Sequence, residues 1–155
     1  MKKNQGFSLV ELIVVIAIMA ILVGVLAPAY LRYVEKSRKS TDVSAIDEMI
    51  GAADKVAVDP ELNVPENATF TINLGATITL AYAASDGDPE AEWQKLAKCE
   101  NGYTTKSTAW QGLEGTFVGT VQDDGSVDWS YTGDATEMCE FSSSLAKKVG
   151  YTSGD

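Results

Sequence analysis

The chain has 155 residues, room for one compact domain and one extended element, and carries 12 Lys and Arg against 22 Asp and Glu, a net charge of −10. It contains no His, which excludes Ser-His-Asp and Cys-His catalytic pairs, the HExxH zinc helix and most transition-metal sites. An enzyme made from it would work with carboxylates alone, and its acids fall in turns and caps with no paired geometry; the chain reads as a non-enzyme that needs no cofactor.

The charge is segregated along the chain. Residues 1–6 carry Lys2 and Lys3, residues 7–31 carry only Glu11, and residues 32–58 balance five bases against five acids. In residues 59–155 five Lys face sixteen Asp and Glu. So acidic a half does not fit nucleic acid as a partner, because phosphate binding needs clustered Lys and Arg.

The first predicted element is an apolar helix. LIVVIAIMAILVGVLA from Leu12 to Ala27 holds no charge, and Gly24 is its one weak point; extended to Phe7 and Leu31 it covers 25 residues, enough to cross a ~30 Å hydrocarbon layer. It therefore reads as a membrane segment at some stage. A secretory signal is one alternative, since Lys2 and Lys3 form a basic start and Ala27-Pro28-Ala29 resembles an A-x-A cleavage site ahead of Tyr30. The apolar run is too long for that, and Glu11 lies inside it. A plain anchor also leaves Glu11 unexplained, because a carboxylate placed centrally in lipid costs ~2.5–3.5 kcal/mol. Lys2 and Lys3 before the span are opposed by Arg32, Lys36, Arg38 and Lys39 after it, so the flanking charges do not set an orientation.

The string from Lys2 to Leu12, KKNQGFSLVEL, resembles the class III leader of type IV prepilins and type II secretion pseudopilins: a short basic leader, Gly6 before bulky Phe7, and Glu11 four positions later. The resemblance covers about the first 50 residues. It implies that a membrane-embedded prepilin peptidase cuts between Gly6 and Phe7 and N-methylates Phe7, and that the mature chain polymerises with copies of itself on an inner-membrane assembly platform. It further implies a precursor held in the cytoplasmic membrane and a product on the cell surface as an extracellular pilus. The new amine on Phe7 would pair with Glu11 of a neighbour, where low dielectric leaves the attraction barely screened, and would act through register more than net stability. Pro28 also matches the family pattern; lacking an N–H, it should kink or locally melt the helix between Gly24 and Pro28.

Beyond Tyr30 the sequence is mixed in charge but helical in habit, with Val43, Ile46, Ile50, Ala53 and Ala57 spaced 3, 4, 3 and 4 as an apolar stripe. Asp59-Pro60 should end this helix. Strands are predicted from Ala68 to Leu74 and from Thr77 to Tyr82, then a helix opening at Asp88-Pro89-Glu90 and running to Lys98. Strands over 116–121 and 127–131 flank the turn Gln122-Asp123-Asp124-Gly125-Ser126, and Ser142 to Val149 should form a last helical turn or two.

The expected organisation is a leader (1–6), an apolar transmembrane and assembly helix (7–31), its amphipathic continuation (32–58) and an acidic, β-rich head (59–155). The fold class is α+β, pilin-like, with the long helix packed on an antiparallel sheet. Cys99 and Cys139, 40 positions apart, suit a disulfide in an exported protein, with two buried thiols as the alternative. Asp86, Asp88, Asp123, Asp124 and Asp128 are weak calcium candidates, since they lack EF-hand spacing, and the Asn67-Ala68-Thr69 sequon is a frequent chance pattern. The leading function is a pilus subunit. Its alternatives are a pseudopilin of a secretion or DNA-uptake machine and, from a different class, a secreted or anchored binding protein with an ordinary signal.

Overall fold

The computed structural model describes residues 7–84, 89–112, 115–134, 138 and 142–150. In chain order they form α1 (Leu9–Ala57), β1 (Thr69–Asn73), β2 (Thr77–Ala83), α2 (Glu90–Leu96), β3 (Tyr103–Thr104), a 3-10 turn (Thr108–Gly112), β4 (Thr116–Val121), β5 (Val127–Thr132) and α3 (Ser143–Lys148). Two units divide the chain, Met1–Ser37 and Arg38–Asp155, and α1 contributes to both. The helix ends where the sequence places its stop: Asp59 N–H bonds back to Val56 O at 3.2 Å, and the Asp59 side chain accepts from Glu61 N at 2.9 Å, closing a turn around Pro60.

In the second unit five strands form an antiparallel sheet in the order β3-β2-β1-β4-β5. Strict alternation fixes its register, because a slip of one residue would turn every apolar side chain to water. Phe70, Ile72, Ile78, Leu80, Phe117, Val121, Trp129 and Tyr131 all face the core. The opposite face carries Thr69, Thr71, Thr79, Thr116 and Ser130. Between β4 and β5, Gln122 N donates to Ser126 O at 2.8 Å and Gly125 adopts φ +80, the conformation that favours glycine at a tight turn.

α1 covers that core with a wider stripe than its sequence suggests. Ile46, Ile50, Ala53 and Ala57 are buried as expected and Val43 is half-buried, but Met49, Ala52 and Val56 are buried with them. A broad sheet engages both the i+3 and i+4 ridges of a helix, so a single-file stripe understates the contact. Two indoles fasten the helix down: Trp93 Nε1 donates to Met49 O at 2.9 Å and Trp129 Nε1 to the Asp54 carboxylate at 3.0 Å. Trp93 also meets Phe70 edge to face, with centroids 5.0 Å apart.

Asp42 is the feature that sequence reading passed over. Fully buried on α1, its carboxylate accepts from Tyr103 Oη at 2.8 Å, from Lys106 N at 3.0 Å through each oxygen, and from Ser107 N at 2.8 Å. It thereby ties the chain after β3 to the helix just before the 3-10 turn begins. The predicted start of α2 needs correcting: Pro89 takes the N-cap position with no side-chain cap, and Asp88 lies outside the described residues. α2 ends at Leu96, two residues short of the expected Lys98, which sits in the left-handed region at φ 55. The final helix falls within the expected Ser142 to Val149, and Ser142 caps it, its Oγ accepting from Leu145 N at 3.3 Å.

Candidate assembly site

Apolar side chains make the first unit. Fifteen large ones between Phe7 and Leu26 are exposed, from 42% at Val15 to 85% at Phe7. Covering each is worth ~1.5–3 kcal/mol, so the whole surface carries a drive on the order of tens of kcal/mol toward a non-aqueous environment. α1 is long and apolar enough to cross a membrane, and among the described residues nothing covers its apolar stretch. Leu, Ala and Met favour the helix and offset the weaker propensity of the β-branched Ile and Val among them, and the residues around Gly24 and Pro28 stay helical, with Arg32 Nε bonded to the Pro28 carbonyl at 3.4 Å. A Cβ added at Gly24 would meet nothing within 4 Å, so that glycine is not forced by packing in the single chain.

Glu11 sits in the first turn of α1, where the helix dipole favours a negative charge. Its carboxylate accepts from Ser8 N at 2.9 Å while Leu12 N bonds to Ser8 O at 3.2 Å. Ser8-Leu9-Val10-Glu11 is thus the S-x-x-E pattern of a capping box with its glutamate half made. The pattern is readable in the sequence, where the isolation of Glu11 in an apolar run points instead to an intermolecular partner or to a side chain reaching the headgroups. Gly6, and with it the expected cleavage bond, lies outside the described residues; Phe7 is exposed ahead of the helix.

The other singled-out residues lie in the second unit. Cys99 is buried, its Sγ 3.9 Å from Ile78 O, and burial pushes its thiol pKa up while a hydrogen bond at Gly102 pulls the other way. Cys139, its expected partner, lies outside the described residues, as do Asp86 and Asp88. Asp124 serves the β4–β5 turn, accepting from Ser126 N at 2.9 Å and Ser126 Oγ at 2.5 Å, bonds that hold its carboxyl below the usual carboxylate range. Asp123 is exposed in the same turn and Asp128 points outward from β5. Among the described residues no three acidic or sulfur side chains gather as a metal ion requires. Asn67 is exposed at φ 61 in the turn before β1.

Comparison with known proteins agrees with this layout. Residues 1–27 match the family model of the prokaryotic N-terminal methylation motif. The type IV major alpha-pilin of Moraxella bovis is 42% identical over 114 residues, 69% of each chain. Fimbrial protein Q of the same organism is 42% identical over 94 residues, and the matched segment spans 56% of either protein. The type IV major fimbrial protein FimA of Dichelobacter nodosus is 30% identical over 117 residues, 74% of this chain and 73% of its own. No solved structure gives a significant match. With a methylation motif at its start, an uncovered apolar helix behind it, an antiparallel head, and identity to major pilins reaching into that head, this chain belongs to the type IV pilin family.

Proposed function

We propose that this chain is a structural subunit of a type IV pilus, made as a prepilin, cut between Gly6 and Phe7 by a prepilin peptidase, N-methylated on Phe7 and polymerised through α1. The observation that carries this reading is the uncovered apolar helix interrupted by one carboxylate, Glu11, directly behind a methylation motif. Such a helix rests in the cytoplasmic membrane until copies extracted by an assembly platform cover one another in an extracellular fibre. Cleavage creates an amine at Phe7, and Glu11 of a neighbouring copy supplies the opposite charge. A mis-stacked subunit would bury either charge alone, which costs far more than the pair gains, so the pair selects register. Around Gly24 and Pro28 the absent N–H and the helix-weakening glycine make a short stretch of α1 the place to unwind on assembly.

Mass spectrometry of the mature chain tests the processing: an N-methyl-Phe7 terminus is expected, whereas a chain starting at Tyr30 would indicate an ordinary signal peptide. In cells, Glu11→Ala should leave the precursor inserted and cleaved while strongly reducing filaments. Normal fibres from that variant would refute the assignment. Filaments confined to the envelope, with export of other proteins lost on deletion, would instead assign the subunit to a secretion machine.

A further inference from the structure

Two stretches of the head lack cations altogether: residues 56–94 and 107–146 contain no Lys or Arg. The fold brings the acidic ends of these stretches together. Asn67 N bonds to Val121 O and Val121 N to Ala68 O, both at 2.9 Å, so the 59–67 turn flanks the β4–β5 turn. A Cβ on Gly125 would lie 3.7 Å from Val58 Cγ1. Glu61, Glu66, Asp123, Asp124 and Asp128 are all exposed at this end of the head, around a Val58 side chain that is itself 63% exposed. None of these acids takes part in an ion pair among the described residues; the pairs made by Lys95, Lys98 and Lys148 involve Glu92, Glu48 and Asp47. Lys55 is the nearest cation in sequence.

The complementary surface lies in the first unit. Arg32 and Lys36, one helical turn apart on α1, are exposed beside exposed Tyr30 and Tyr33, and neither forms an ion pair among the described residues. Each surface thus has an apolar centre with one sign of charge prevailing around it, against exposed Lys55 one turn before Val58 on the head and half-buried Glu35 beside Lys36 on α1. A polar rim about an apolar centre is the anatomy of a protein interface. We infer that the Arg32–Lys36 face of α1 docks on the acidic end of the head of a second copy, the end built from Glu61, Glu66, Asp123 and Asp128. This rests on the proposed pilin reading and extends it to the outer layer of the fibre: the pairs sit in water and are screened beyond ~8 Å at physiological salt, so they steer copies into alignment and reject like-charged juxtapositions.

The test uses the full chain in producing cells, comparing sheared filaments with processed subunit held in the membrane. Arg32→Glu with Lys36→Glu should lower filament yield at least tenfold with the subunit level unchanged, and adding Glu61→Lys, Glu66→Lys and Asp123→Lys in the same chain should restore it. Equal yields from wild type and the double reversal overturn the inference while leaving the pilin reading intact; a wild type that makes no filaments overturns the pilin reading itself. Should the double reversal be degraded, Lys36→Cys with Glu66→Cys decides. Oxidised filaments should then run as a ladder of dimers and higher species that either single substitution lacks. Assembled filaments without that ladder, or a bond closed within one chain, exclude the docking.

Discussion

Replacing Asp42 by Ala removes the acceptor for three donors at once, Tyr103 Oη and the Lys106 and Ser107 amides. Asp42 and Ser107 are both fully buried, whereas the Tyr103 and Lys106 bonds are only half-buried, so water cannot take over at Ser107 and does so only in part at the other two. Each stranded donor costs ~1–3 kcal/mol, nearer the lower end for the half-buried pair. Part of that sum is returned, because the buried carboxylate no longer has to be held out of water. The net loss should be ~3 kcal/mol, a large share of the ~5–15 kcal/mol by which domains are stable. Asp42→Asn keeps one acceptor oxygen but turns an NH2 toward an amide, and should fall between wild type and Asp42→Ala. Urea unfolding of the full chain in detergent, followed by tryptophan fluorescence, reads this out selectively, since Trp93, Trp110 and Trp129 are the three tryptophans and all lie buried in the second unit. Hydrogen exchange at the Lys106 and Ser107 amides should accelerate in step. A loss below ~1 kcal/mol for Asp42→Ala would mean that the chain around 105–107 is held by something else, and the reasoning would fail.

Burial, together with the hydrogen bond and negative charge of Asp42, pushes Tyr103 up to about 12. With a folded value above the ordinary ~10, its contribution to stability is complete below pH ~10 and is lost as pH rises toward the folded value; the fall in urea midpoint between pH 9 and 11.5 should be smaller in Tyr103→Phe. Gly119 pairs with Trp129 across β4 and β5, and a Cβ there would come within 2.9 Å of the indole and 2.6 Å of Val127 Cγ1. Gly119→Ala should therefore cost ~1–3 kcal/mol by overpacking, seen as a lower urea midpoint with little change in slope. If Cys99 and Cys139 are bonded, non-reducing peptide mapping will recover them linked and reduction will cost ~4 kcal/mol in the chain-entropy model. Recovery of unlinked peptides, with Cys99 alkylated only on unfolding, would identify it as a buried thiol.

The parts of the fold that could be read from sequence are those with a period. Uninterrupted apolar residues marked the start of α1, alternation marked β1 and β2, and an Asp-Gly turn between alternating runs marked the β4–β5 hairpin. β3 has two residues, too short for any period, and is held to β2 by tertiary context. Asp42 escaped notice because an acid in a mixed-charge stretch reads as solvated; what makes it structural is a loop more than sixty residues away that folds back to it. The N-terminal site was legible as chemistry, a single carboxylate in an apolar run, but its local bond to Ser8 and the acidic end of the head were not. The first was hidden by a more conspicuous reading, and the second exists only once residues 59–67 and 121–128 lie side by side.

That division bears on how a filament would choose its geometry. The apolar surface of the first unit gains little by leaving lipid for other copies of itself, since hydrocarbon tails are as apolar as Leu and Ile. Its tens of kcal/mol therefore keep the helix out of water without deciding where it goes. Discrimination falls to the groups for which lipid and protein are not equivalent: Glu11, bonded within its own chain to Ser8, the amine that cleavage would create, and the charged faces of α1 and the head. The Ser8 bond lowers the cost of holding Glu11 in an apolar setting before assembly, and it occupies one side of one oxygen, leaving the remaining lone pairs for a neighbour's amine. A carboxylate partly satisfied at home and completed by a second copy tolerates storage as a monomer and still penalises wrong register, which a fully solvated or fully paired group would not do.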